Sequence, residues 1–140
     1  MASHLGVHPS DHVVLEFIGT KERTGLWRRN FPDVTTEFPF AIPAGRYLVI
    51  TDVDWQIRAV LKPARQSVTL RLSVALLGDL TNSQIVHQST LMLDETGYGG
   101  TSEALTTGFV AAESATIVWS TIPEIPVSHL LLRGYLIDRP

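Results

Sequence analysis

Between Tyr47 and Leu76 the chain alternates apolar and polar residues with a period of two, and this constrains the fold more than any other feature. Tyr47, Val49, Thr51, Val53, Trp55, Ile57 and Ala59 take every second position. After a break at Lys62-Pro63-Ala64-Arg65 the pattern resumes at Val68, Leu70, Leu72, Val74 and Leu76. Successive side chains on a strand point to opposite sides, so period two marks strands with one buried face. The first run is long for a single strand. Thr51-Asp52 is where a bulge, or a bend between sheets, is expected.

The remainder reads the same way. Short apolar runs occupy Val13–Ile18 and Phe38–Ile42, the second ending in the turn Pro43-Ala44-Gly45. Ile85, His87, Ser89, Leu91 and Leu93 alternate again, as do Leu105, Thr107 and Phe109, then Ala115, Ile117 and Trp119. The final strand is apolar on both faces, with Leu130, Leu132 and Leu136 on one and Leu131, Tyr135 and Ile137 on the other. Such a strand is central in its sheet or lies at a subunit contact. About eight or nine strands separated by turn signals, with no amphipathic helix and no internal repeat, predict an all-β fold. The architecture expected is a two-sheet antiparallel β-sandwich of the jelly-roll type, with Val53, Trp55, Leu70, Leu72, Val74, Phe109 and Ile117 in the core. Residues 1–140 form one domain, with 1–12 as a loose N-terminal arm. Residues 19–37 form the longest aperiodic stretch.

Composition narrows the function. Hydrophobic residues make up 44% of the chain and charged residues only 18%, below the roughly 25% usual for soluble domains. A covered apolar surface or a densely filled β core accounts for this equally well. The net charge of −3 offers no basic face for nucleic acid. With no cysteine, disulfides, thiolate metal sites and cysteine nucleophiles are excluded. No apolar run is long enough to cross a membrane as a helix, and the first residues lack the pattern of a signal peptide. A cytoplasmic protein, or a subunit of a virion or secreted assembly, fits these features.

Two segments carry a family likeness. Leu131-Leu132-Arg133-Gly134-Tyr135-Leu136-Ile137 has a Gly-aromatic-aliphatic ending, and residues 107–117 look like the strand pair before it. Over roughly the C-terminal third the chain resembles the tumour necrosis factor-like and complement globular-head jelly rolls. The resemblance implies a jelly roll that assembles as a trimer and works by binding rather than catalysis.

The candidate chemical constellations are sparse. His4, His8 and His12 are spaced for one face of a helix, but Gly6 and Pro9 oppose a helix there. No His-x-His pair of the cupin kind occurs, His87 and His129 are isolated, and no convergent ligand set emerges. There is no Gly-x-Ser-x-Gly elbow. Asp52 and Asp54 share one strand face and are where a carboxylate pair for acid–base work could be sought, but base rates favour a solvated polar face at a strand bend. The glycine-rich loop 94–103 lacks the Gly-Lys-Ser/Thr of a phosphate loop. Its Asp94, Glu95 and Glu103 leave calcium open. In Lys21–Arg29, Trp27 with Arg28 and Arg29 is the candidate ligand-binding, sugar-stacking element, against a plainer reading in which the arginines face solvent and Trp27 covers an end of the sandwich.

The expectation is therefore a non-enzymatic, self-associating jelly-roll module with a structural or binding role and no cofactor. Its partners are copies of itself, a trimer in preference to a dimer, with Leu131, Tyr135 and Ile137 at the contact. The alternative is a small-molecule or carbohydrate-binding sandwich, in its enzymatic form cupin-like.

Overall fold

The computed structural model of the chain describes residues 9–19, 25–29, 37–58, 65–76 and 82–140. Within them a 3-10 turn, Pro9–Asp11, precedes nine strands: β1 (His12–Ile18), β2 (Trp27–Arg29), β3 (Glu37–Pro39), β4 (Arg46–Arg58), β5 (Ser67–Leu76), β6 (Gln84–Met92), β7 (Tyr98–Ala112), β8 (Ala115–Ile122) and β9 (His129–Asp138). They form two antiparallel sheets, in the orders β3-β2-β1-β9-β4-β7 and β6-β5-β8. The all-β sandwich expected from the periodicity is present. His12, placed in the expected loose arm, opens β1 and pairs with Tyr135; residues 1–8 of that arm, with His4 and His8, lie outside the described residues.

The core lies between the sheets. Leu15 from β1, Val53 and Trp55 from β4 and Leu132 from β9 meet Leu70 and Leu72 from β5, all fully buried. Each such side chain stabilises the fold by about 1.5–3 kcal/mol through its removal from water. The expected core residues all belong here, Val74 as a half-buried neighbour. Trp55 Nε1 donates to Ser89 Oγ across 2.8 Å, satisfying a buried N–H and linking the large sheet to β6. β9, apolar on both faces, sits between β1 and β4.

The predicted irregularity at Thr51 is a β-bulge. Ile50 pairs with Gly134 and Phe109, Asp52 pairs with Arg133 and Ala104, and Thr51 has no cross-strand partner. One extra residue reverses the phase of the pleat. Leu48 and Ile50 face the core before the bulge; Val53, Trp55 and Ile57 face it afterwards. The expectation that Tyr47 and Val49 share a face with Val53 and Trp55 is thus corrected, since the alternation reads straight across the extra residue. Close approach at the bulge dictates glycine: a Cβ at Gly134 would overlap the Val49 carbonyl oxygen. Gly108, at φ +73°, lets β7 fold back beside Ile50. A second register shift, opposite Leu72/Ser73, turns Ile85 outward to 51% exposure while His87, Ser89 and Leu91 stay on the inner face.

Candidate functional site: the outer face of the large sheet

The bulge divides the outer face of the six-stranded sheet into two halves of different chemistry. Before it, Tyr47 lies between Ile137 and Ala112, and Val49 between Tyr135 and Val110. Directly opposed residues share a face, so these six form one apolar patch. Val49 is only 6% exposed yet lies outside the core cluster. Val110, on the edge strand, is 52% exposed. The adjoining end of the sheet carries both signs of charge. Arg46 reaches Asp11 at 2.9 Å and Asp138 at 3.1 Å, and Arg139 reaches Glu113 at 2.9 Å.

Beyond the bulge the face is polar. Arg133 Nη1 donates to Asp54 Oδ2 at 2.9 Å, and Thr51 Oγ1 donates to Asp52 Oδ2 at 3.0 Å. His129 Nε2 lies 2.8 Å from Glu16 Oε2, and Glu16 is a buried carboxylate at 8% exposure. Arg58 Nη2 donates to the Tyr98 hydroxyl at 3.2 Å, and its guanidinium carbon stands 5.0 Å from the ring centroid. The Tyr98 hydroxyl, through that hydrogen bond, raises the pKa of Arg58. At the β6–β7 turn, Asp94 Oδ1 accepts from the Thr96 hydroxyl and from the backbone N–H groups of Thr96 and Tyr98. These bonds, the Thr96 hydroxyl first, hold the Asp94 carboxyl below its usual range.

Tyr135 and Ile137 fall together in the apolar patch. Leu131 shares their face but lies past the bulge, between Glu16 and Asp54. Asp52 and Asp54 share the outer face as expected, and each is held by its own partner. Trp27 stands opposite Glu16 at the β1–β2 pairing. Arg28 is turned elsewhere: its Nη2 donates to the carbonyls of Ser10 and His12 and braces the start of β1. The Arg29 side chain, with Lys21 and Arg23, lies outside the described residues. Of the three, Arg28 works as a brace and is turned away from a stacking role, while Trp27 opposes Glu16 across the strand pair.

His87 points between the sheets, with Nε2 3.5 Å from Glu103 Oε1. Glu95 pairs with Arg65 at 2.6 Å. Asp94, Glu95 and Glu103 thus engage three separate partners, and among the described residues no three metal-ligating side chains cluster. A pocket of about 330 Å3 lies between Leu26, Phe40 and Ile42 and the start of β8 at Ala115 and Ile117; it has no ionisable side chain in its lining.

Reading the sequence missed Gln56, Arg58, Tyr98 and Gly100, which meet on the polar half. Gln56 and Arg58 alternate with Trp55 and Ile57, so their signal was present in the polar positions of that strand. Compared with known families and curated proteins, the chain matches no family and no curated relative. No helix among the described residues is long and apolar enough to cross a membrane.

Proposed function

We propose that the chain is a non-enzymatic jelly-roll module that assembles as a homotrimer and serves as a structural or binding subunit. The strand orders support the jelly-roll reading: β1-β9-β4-β7 in one sheet faces β8-β5-β6 in the other, the alternation of a chain rolled from a long hairpin. The observation that carries self-association is the patch of Tyr47, Val49, Val110, Ala112, Tyr135 and Ile137. A sheet buries one face in its own core, and the other face is normally polar.

A second copy of the chain suits this patch better than a foreign partner. At the end of the sheet next to the patch Arg46 pairs with Asp11 and Asp138, and Arg139 with Glu113, so both signs are present there and a copy meets no block of like charge at that end. Homo-oligomers close by rotation, and Tyr is a favoured anchor at their contacts. The jelly-roll resemblance chooses three subunits over two.

Light scattering on the purified chain at micromolar concentration tests this. The expected mass is three times the 15.4 kDa subunit. A single-subunit mass overturns self-association; a dimer keeps the patch argument and removes the trimer.

A further inference from the structure

The polar half of the outer face has a shape as well as a chemistry. Gln56 and Gly100 stand opposite each other, and two shallow hollows of about 450 and 480 Å3 share these two residues, forming one groove. Its floor at Gly100 is bare backbone, with Ser102 beyond. Asp54, His129 and Arg133 line one end; Arg58, Asp94 and Tyr98 line the other.

The lining selects a class of ligand. Two guanidiniums and two carboxylates are present, and Arg133 is already paired with Asp54, so neither an anion nor a cation is favoured. The available groups both donate and accept. Gln56 is exposed and carries an amide, and Ser102 is an exposed hydroxyl. Tyr98 adds an aromatic surface, 38% exposed with Arg58 against it, offering apolar area beside polar tips. The groove spans three strands, roughly 10 Å, and four residues along them, roughly 13 Å. A molecule of that length with alternating C–H and O–H surfaces and no charge matches all of these features.

We infer that this groove binds a neutral oligosaccharide. It lies across the bulge from the apolar patch and does not depend on self-association. The bare floor admits sugar rings to within reach of Gln56 and Ser102, and Tyr98 provides the flat apolar contact at one end.

The test uses the isotope-labelled full chain, titrated by NMR with cellotriose, maltotriose, mannotriose and chitotriose to about 10 mM, a range that captures weak binding. At least one trisaccharide should shift the amides of Arg58, Tyr98, Gly100 and Ser102 saturably, leaving those of Val110 and Tyr135 in place. Gly100→Gln fills the floor: its Cβ comes nearest to the flexible Gln56 Cγ at 3.2 Å and reaches the Trp55 carbonyl at 3.4 Å, an ordinary contact, so the fold is retained. That variant, and separately Tyr98→Ala, should weaken binding at least about tenfold with an otherwise native spectrum. The inference is overturned if no trisaccharide moves these amides, if both variants bind as the parent does, or if trigalacturonate binds more tightly than every neutral sugar.

Discussion

Val49 and Val53 lie four residues apart on one strand and point to opposite faces of the large sheet. In an unbroken strand that spacing keeps two side chains on the same face. Thr51, the extra residue between them, puts Val53 in the core with Trp55 and leaves Val49 among Tyr135 and Val110 outside. The apolar patch and the polar groove are both consequences of this one bulge.

Gly134→Ala tests the bulge directly. The added Cβ would overlap the Val49 carbonyl oxygen, which is backbone and held by its neighbours. The expected cost is about 3 kcal/mol or more, the upper end for overpacking. Urea unfolding measures it, and a loss under about 0.5 kcal/mol contradicts the close approach.

Leu72→Ala tests the core. Leu72 is fully buried and opposes His87 and Trp119 on neighbouring strands. Removing it should cost about 2–5 kcal/mol. A near-neutral change by the same assay would mean that the inner face is wrongly assigned.

Ser89→Ala should leave the buried Trp55 N–H without its acceptor at the junction of β4 and β6. An unmet buried donor costs about 1–3 kcal/mol. Thermal unfolding followed by tryptophan fluorescence gives the loss and reports on Trp55 itself.

Val110→Glu is the mildest test of assembly, because Val110 is half exposed in the single chain and tolerates the change in the fold. The variant should scatter light as one subunit while keeping its β-type circular dichroism. Tyr135→Glu, nearer the centre of the patch, should do the same or fail to fold, because the carboxylate is buried without a partner. Assembly unchanged in Val110→Glu would place the contact elsewhere.

Asp94 gives a pH dependence of known sign. Its folded pKa is lowered, so its stabilising contribution is complete above the ordinary value of about 3.9 and is lost as pH falls through the folded value. Thr96→Val removes the largest cause of the lowering. The Asp94 carboxyl should then titrate closer to its ordinary value by carbon-detected NMR, and the turn should survive to a less acidic limit.

The alternation at Val68–Leu76 and the two-faced run at Leu130–Ile137 are local properties, and they dictated a β-sandwich; a place for β9 inside its sheet was one of the two that its apolar faces allowed. Side chains on a strand need only their own neighbours to fix which two faces exist, so this much is legible in the chain. Even Thr51-Asp52 was visible as an interruption. The direction of the phase change was not, because a bulge is defined by which residues of β7 and β9 oppose it, and those lie some 50 to 80 positions away in the sequence. The same holds for Arg28, whose partners Ser10 and His12 come from a different segment, and for Leu131, which shares a face with Tyr135 but not a half of it. By itself, then, the sequence determined the fold class, most of the strands and most of the core, since burial follows a short period; β2 at Trp27–Arg29 and the start of β7 at Tyr98 fall in stretches that read as loops. Only the tertiary structure decided that Gln56, Arg58, Tyr98 and Gly100 meet in one groove and that Tyr47 and Val49 join Tyr135, because such meetings depend on cross-strand register, which long-range pairing sets.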